Sequence, residues 1–306
     1  MKAIRLHEPK GVDGLIYEEA PDPAPGLDDV LVKVHACGIT PTELDWPIWA
    51  DRAGHKRDAI IPAQEFSGVV AAVGFGTAGF AVGDEVYGLI MAYWDGAAAD
   101  YISVEARDVA PKPRTLDHVH AAAVPQVGLT SWQALFDNGR LTAGQTVVIH
   151  GAGGAVGTTA VQLARAAGAQ VIGTGRGSAR SLVLEMGANR FVDLEQDAWE
   201  EAVGPVDLVY DIIGGDIAAR SLALVKPGGA LVTIVGAPPP TKRQDIRTLF
   251  FIRQPNQAQL VELARRIDAG ELRPPQIGAV YPLAEARKAF TAKSSGNVAG
   301  KIILQP

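Results

Sequence analysis

Apolar residues in the first third of the chain come in short blocks. Residues 2–6, 30–35 and 68–73 are rich in Val, Ile and Ala, and the stretches PDPAPG, GFGTAG and VGDEVYG bound them. Short apolar blocks punctuated by Gly, Pro and Asp predict strands, and turns this frequent predict a compact β-rich unit. Near Ala121 the rhythm changes. Residues 145–150 read as a short buried strand. Residues 155–167 then carry Val156, Ala160, Leu163, Ala164 and Ala167 at helical spacing, with Gly168 where a helix stop belongs. Residues 170–173, 191–193, 207–211 and 230–235 read as further strands, and 178–186 as a helix closed by Gly187. Strands alternating with helices predict a parallel, doubly wound sheet. After Pro255 the pattern shifts again, to helices at 257–269 and 283–292 and strands at 279–281 and 301–304. A late strand in a chain that opens with strands predicts a return to the first sheet. The expected organisation is an outer domain of residues 1–117 and 255–306 around an inserted domain of residues 118–254.

The glycines carry the first chemical signal. In VVIHGAGGAVG, residues 147–157, a strand runs into Gly151, Gly154 and Gly157, and a helix follows. At such a turn the first glycine permits the tight bend, the second lets backbone approach a pyrophosphate, and the third lets helix pack against strand. The helix-start amides of Ala155 and Val156, with Gly153 in the same turn, then face the phosphates. An NAD site places an acidic residue at the end of the second strand, where it accepts from the ribose 2′-hydroxyl. From Gln145 to Leu184 there is no Asp or Glu; the second strand instead ends in Thr174, Gly175 and Arg176, with Arg180 following. Guanidinium groups match a phosphate bidentately, so the expected cofactor is NADPH.

Composition narrows the classes. With 47% apolar and 20% charged residues the chain reads as an ordinary globular protein, and its length of 306 residues predicts two domains. A single cysteine, Cys37, excludes an intramolecular disulfide framework and any Cys-rich metal site, and fits a reducing cytoplasm. Lys+Arg 28 against Asp+Glu 34 gives a net charge of −6, which disfavours a broad nucleic-acid surface. The uncharged stretch 141–164 is too rich in Gly and Thr to read as a membrane span, and the first residues lack the apolar core of a signal peptide. The pair His118 and His120, flanking Val119, is expected on one strand face near the surface. His150 is expected to be a hydrogen-bonded strand-end residue.

The motifs taken together, in chain order, resemble a known family. PAPG (23–26) with VLVKV (30–34), CGITPTE (37–43), PAQEFSG (62–68), VGDEVYG (82–88), GLTSWQAL (128–135), LVKPGG (224–229) and GKIIL (300–304) are similar to the zinc-free quinone oxidoreductase (zeta-crystallin-like) branch of the medium-chain dehydrogenase/reductase superfamily. The resemblance covers essentially the whole chain. It implies an α/β protein with a GroES-like β-rich catalytic domain and a Rossmann domain. In the superfamily's alcohol dehydrogenases a Cys and a His hold a catalytic zinc; the corresponding places here are Thr40 and Gln64, neither an adequate ligand, so no metal is expected. Without zinc the substrate must accept hydride readily, as quinones and α,β-unsaturated carbonyls do.

By the same resemblance Thr40 and Thr130 meet the nicotinamide ribose or ring, and Gly236, Ala237, Phe251, Ile252 and Arg253 pass along its other side. The family usually has Asn where Thr40 stands, and often an adenosine-facing Tyr near Leu194. Trp46 and Trp49 in the segment 44–56, and Tyr93 and Trp94 in 91–94, are expected beside a flat acceptor, with core or lid packing the alternative for them. Thr40, Tyr87 and Tyr93 are the candidate proton donors or carbonyl-orienting groups; solvent is the other source of the proton. The expected function is hydride transfer from NADPH to a quinone or similar conjugated carbonyl. The alternatives are an NADPH-dependent enone or enoyl reductase and a non-catalytic NADPH-binding structural or RNA-associated protein. The resemblance also implies a homodimer, joined as in such relatives through a sheet edge formed by residues 229–236 and 247–252.

Overall fold

The structure, a computed structural model, describes every residue except Pro41, Pro47, Ile48, Asp197 and Asn297. Pro41 falls in the CGITPTE motif, and Pro47 and Ile48 in the segment 44–56; these positions lie outside the described residues.

The chain opens with β1 (Lys2–Leu6) and β2 (Leu15–Glu19), an antiparallel ribbon. It continues through β3 (Asp29–Ile39), β4 (Glu65–Val73), β5 (Glu85–Leu89), β6 (Tyr101–Glu105) and β7 (Val109–Pro111). Helices α1 (His118–Ala121) and α2 (Val124–Trp132) follow. Strands and helices then alternate: β8 (Thr146–His150), α3 (Ala155–Ala166), β9 (Gln170–Gly175), α4 (Arg180–Glu185), β10 (Arg190–Asp193) and α5 (Trp199–Val203). Next come β11 (Val206–Asp211), α6 (Gly215–Ser221), β12 (Val225–Thr233) and β13 (Arg247–Phe250). The chain closes with α7 (Gln257–Asp268), β14 (Ile277–Pro282), α8 (Ala286–Ser294) and β15 (Lys301–Gln305).

Two compact units result: Met1–Gln126 with Gln254–Pro306, and Val127–Arg253. In the first, the strands lie in the order β14-β15-β3-β4-β5-β7, with β6 beside β3. The late strand returns as the pattern predicts: β15 pairs antiparallel with β3, setting Ile302 against Ile39 and Leu304 against Cys37. Along β3, Val30, Val32 and Val34 point inward at period two, and from Ala36 to Ile39 every residue is buried. Each fully buried Val or Ile contributes about 1.5–3 kcal/mol of transfer free energy, so this central strand anchors the outer core.

The second unit is one parallel sheet in the order β10-β9-β8-β11-β12-β13. Its first strand sits in the middle, so the chain winds outward in both directions and leaves a crevice between the carboxyl ends of β8 and β11. Val147, Val148 and Ile149 are fully buried, the near-continuous apolar run expected of a parallel strand covered on both faces.

Several local expectations change. The VGDEVYG segment carries β5 as well as a turn. The helix expected at 178–186 begins as a 3-10 turn, Gly177–Ala179, and becomes α-helical only at Arg180. The β12 strand starts five residues early: Gly228, with φ +80°, and a register shift opposite Val206 and Leu208 let the backbone pair through a glycine pair that reads as a turn. His118 and His120 stand on α1, not a strand, because the Asp117 carboxylate caps the segment by accepting from the His120 amide. Two residues apart on a helix, they diverge: His118 Nδ1 meets Ser67 Oγ at 2.8 Å and its ring stacks on His35, while His120 turns back to Asp117. Of the two segments expected at the sheet edge only β13 is an edge strand; β12, which carries Gly229, lies between β11 and β13.

Candidate functional site

The glycine turn lies at the carboxyl end of β8. Gly151 has φ +74°, the left-handed region a side chain rarely adopts, and reverses the chain within one residue. Gly157 is demanded by packing: a Cβ there would stand 2.3 Å from the Gly151 carbonyl oxygen and 2.6 Å from Ala152 Cα. Gly154 differs, since the nearest atom to a Cβ built on it is 3.6 Å away. It is exposed, adopts extended dihedrals and caps α3 with no side chain to accept from the first amides. Those amides have no partner inside the helix, and the dipole of a twelve-residue helix ends on them. An anion fits there, and a side chain at Gly154 would take its room. Ser131 Oγ donates to the Val156 carbonyl at 2.9 Å, which ties α2, and with it Thr130, to the first turn of α3.

The second wall of the crevice is a residue the sequence reading passed over. Asp211, fully buried at the end of β11, accepts from the amides of Ile213 (3.1 Å) and Gly214 (2.9 Å) and from Thr233 Oγ1 (2.8 Å). Its carboxylate folds the chain into a turn through Gly214 and Gly215, at φ +80° and +58°, and sets Ile212 and Ile213 about 3.5 Å from where a Gly151 side chain would begin. The signal was present in DIIGG, an Asp before glycines at a strand end, the pattern of an Asx turn. A cavity of about 510 Å³ opens here, lined by Gly214, Gly215, Thr233, Gly236 and Ala237 among others.

At the end of β9 the two arginines part. The Arg176 side chain is 85% exposed, and its nearest acid, Glu195, stands 3.8 Å from Nε. An exposed pair of that length is worth little, so the guanidinium is available. Arg180 instead lies over the Phe191 ring and reaches the Phe191 carbonyl, so it contributes to packing between α4 and β10. The Thr174 side chain faces inward and is bonded to His150. His150 itself is fully buried, as a strand-end residue with both nitrogens engaged: Nδ1 with Thr174 Oγ1 at 2.7 Å and Nε2 with Ser221 Oγ at 2.8 Å. Ser221 gives its own proton to the Ile217 carbonyl, so Nε2–H must donate and Nδ1 must accept. That arrangement holds one proton and refuses a second; burial pushes the imidazole down to about 4, against a small upward pull from Asp211.

The other candidates belong to the outer unit. The Tyr87 hydroxyl is sealed in its core and donates to the Leu260 carbonyl at 2.6 Å, which removes it from the candidate proton donors. Thr40 is half-buried at the end of β3. Trp46 and Trp49 pack partly buried against the outer core, while Tyr93 and Trp94 tilt against each other with ring centres 5.9 Å apart and Trp94 exposed. Gln64 is buried. Among the described residues no group of three or more His, Cys, Asp or Glu is disposed to hold a metal ion. In the inner unit, Arg253 is buried and Ile252 exposed beyond β13, and Leu194 packs against the core under β10.

A parallel sheet wound in this order, with a glycine-rich turn at its central crevice and a β-rich unit built from both ends of the chain, defines a two-domain protein of Rossmann type. Comparison with known proteins agrees. A family described as alcohol dehydrogenase GroES-like domain matches residues 26–114, and one described as zinc-binding dehydrogenase matches residues 186–304. The chain is 32% identical to a probable zinc-binding oxidoreductase, mitochondrial, of Arthroderma benhamiae, over 95% of this chain and 93% of that protein. It is 30% identical to the quinone oxidoreductase of Rattus norvegicus, over 99% and 97%. The solved quinone oxidoreductase from Coxiella burnetii superposes with a TM-score of 0.87 at 26% identity, covering 100% of this chain and 99% of that one. The chain belongs to the medium-chain dehydrogenase/reductase superfamily, in its quinone oxidoreductase-like branch, and is an oxidoreductase. No helix of the described residues is long and apolar enough to cross a membrane.

Proposed function

We propose that this oxidoreductase is zinc-independent and passes hydride from NADPH to a quinone or a similar conjugated carbonyl. The observation that carries the reading is the crevice itself: a glycine cradle with room at Gly154 and none at Gly157, flanked at the next strand end by an exposed Arg176 whose ion pair with Glu195 is weak. When bound there, the nicotinamide supplies the hydride. The chain's part is to bind, orient and exclude water. The first amides of α3 bind the pyrophosphate, Arg176 the 2′-phosphate, and the turn fixed by Asp211 shapes the wall beside Gly236 and Ala237. Tyr93 and Trp94 offer flat faces to the acceptor, with Trp46 and Trp49 as further candidates, and Thr40 or Tyr93 holds the proton nearest the carbonyl oxygen. Thr40 and Gln64, where the superfamily's zinc enzymes have Cys and His, give a hydroxyl and an amide; neither binds zinc well. A conjugated acceptor delocalises the added electrons and so dispenses with a Lewis acid.

The test is NADPH oxidation against a panel of quinones, enones and enoyl thioesters, with product identification. Reduction of quinones supports the reading; reduction confined to C=C bonds makes the protein an enone or enoyl reductase, and tight NADPH binding with no acceptor reduced makes it non-catalytic. For the cofactor, Arg176→Ala removes one charge-assisted contact worth about 1.5–3 kcal/mol. It is expected to raise KM for NADPH by roughly 10- to 100-fold and leave KM for NADH unchanged; equal effects on both refute the assignment. We further propose that the protein is cytoplasmic and a homodimer, with β13 as the edge that meets its copy; sedimentation and crosslinked mass measurements on wild type and an edge-charged Thr248→Lys variant would test the dimer.

A further inference from the structure

The outer unit hides a cluster of ionisable groups that the reading above does not use. Glu43, three residues after Thr40, is 3% exposed, and neither of its carboxyl oxygens has a hydrogen-bond partner. Around it stand Cys37 on β3, Glu65 at the head of β4 and Lys301 at the head of β15, all buried. Lys301 Nζ is ion-paired with Glu65 Oε1, and Glu65 Oε2 accepts from the Gln126 amide at 2.8 Å. Lys293 lies beyond Lys301 and gives its ammonium to the Gly300 carbonyl. The 3-10 turn Gly11–Gly14, which brings Asp13, packs on the turn Glu43–Asp45.

The charges of this cluster balance only once. Glu65 and Lys301 neutralise each other, so an ionised Glu43 would bury a second negative charge beside a single cation. Burying an unpaired carboxylate costs several kcal/mol, and proteins avoid it by keeping the proton on. Burial, and in smaller measure Glu65, accordingly holds the Glu43 carboxyl up at about 8, against the opposing pull of Lys301. The backbone amides of Thr40 and Ala63 approach this carboxyl without completing a hydrogen bond. The Glu43 amide closes its turn on the Thr40 carbonyl at 3.3 Å. Ala63, fully buried, is held at φ +69°, a left-handed conformation costly for alanine that persists only where the surroundings impose it. The Glu43 carboxyl thus sits where the segments carrying Thr40 and Gln64 meet.

We propose that Glu43 is a positioning residue for the reaction: as a neutral acid it seats the turn that carries Thr40, and loss of its proton unseats that turn and switches the enzyme off on the alkaline side. The activity part rests on the reductase reading above. The neutral acid adds no charge to the Glu65–Lys301 pair; the ionised form repels Glu65 and must draw in water to be solvated, which the packed segments at Thr40 and Ala63 resist. Glutamine reproduces the neutral form and cannot ionise.

The experiment compares wild type with Glu43→Gln, and with Glu43→Met in case the amide folds poorly, from pH 6 to 10. Quinone reduction by NADPH, tryptophan emission (Trp46 directly follows the turn) and the thermal midpoint are followed together. Wild-type kcat/KM is expected to fall about tenfold per pH unit above the transition, with emission changing at the same pH; both variants are expected to keep flat profiles up to at least one unit higher. An alkaline limb at the same pH in the variants overturns the proposal, as does a wild-type emission change that they retain. If no acceptor is reduced at any pH, the reductase reading fails, and the emission and midpoint titrations still decide whether Glu43 holds the turn.

Discussion

Gly157→Ala is expected to destabilise the protein by about 3 kcal/mol or more, whereas Gly154→Ala leaves the fold nearly intact and weakens the cofactor instead. At Gly157 a methyl group would stand 2.3–2.7 Å from three backbone atoms of Gly151 and Ala152. None of them is the end of a flexible side chain, so α3 must pull away from β8 and open the core beneath it. For a unit of this size that amounts to a fall of roughly 10 °C in the midpoint. At Gly154 the nearest atom is 3.6 Å away and the dihedrals suit alanine, so loss of a favourable helix cap costs less than about 1 kcal/mol. Under the function proposed above, the same methyl group projects toward the cofactor's pyrophosphate, and the dissociation constant for NADPH should rise at least about tenfold. Thermal melts and cofactor titration on the two variants check both halves. Equal loss of stability in the two would refute the packing role of Gly157, and unchanged affinity in Gly154→Ala would show that the cradle does not bind phosphate.

Acid is expected to weaken the inner unit through His150. In the folded protein this imidazole stays neutral down to about 4, while in the unfolded chain it takes a proton near its ordinary 6.5. Between those values the unfolded state binds more protons, so stability is complete above pH 6.5 and declines as pH falls to 4, by about 3 kcal/mol. His150→Asn keeps a polar side chain at the strand end but cannot take the proton, and should remove this slope while costing stability at neutral pH. Glu43 has the opposite sign. Its folded value is raised from 4.5 to about 8, so its contribution is greatest below 4.5 and is lost as pH rises to 8. The two slopes oppose each other from pH 4.5 to 6.5. Wild-type stability, followed by urea midpoints, should therefore be flatter there than that of either single variant; a His150→Asn profile parallel to wild type would refute the assignment of the buried proton.

The legible parts of the molecule were those encoded in short runs of sequence. The strands β1, β8 and β11 and the helices α3 and α7 follow from apolar spacing, with Gly168 as the stop after α3, and the turn at Gly151–Gly157 from three glycines between a strand and a helix. The Rossmann class follows with them. Illegible from pattern were β5 and β12, where Gly and Pro mark turns on average but pair in a ladder here, and α1, where a cap at Asp117 outweighs the alternation of His118 and His120. Arg176 and Arg180 read as a matched pair; packing over Phe191 separated their roles.

What the sequence by itself determined is therefore local: the periods of its elements, the glycine cradle, the absence of acid through Leu184 and the lack of Cys and His at Thr40 and Gln64. These are set by chain geometry and side-chain chemistry within a few residues of one another. The tertiary structure alone decided which distant groups share a buried charge balance. Glu43, Glu65 and Lys301 meet across three segments of the chain, His150 finds Thr174 and Ser221, and Asp211 finds Thr233. No spacing rule brings such groups together. Burial does, because a polar atom removed from water must be paired or kept neutral wherever in the sequence its partner lies.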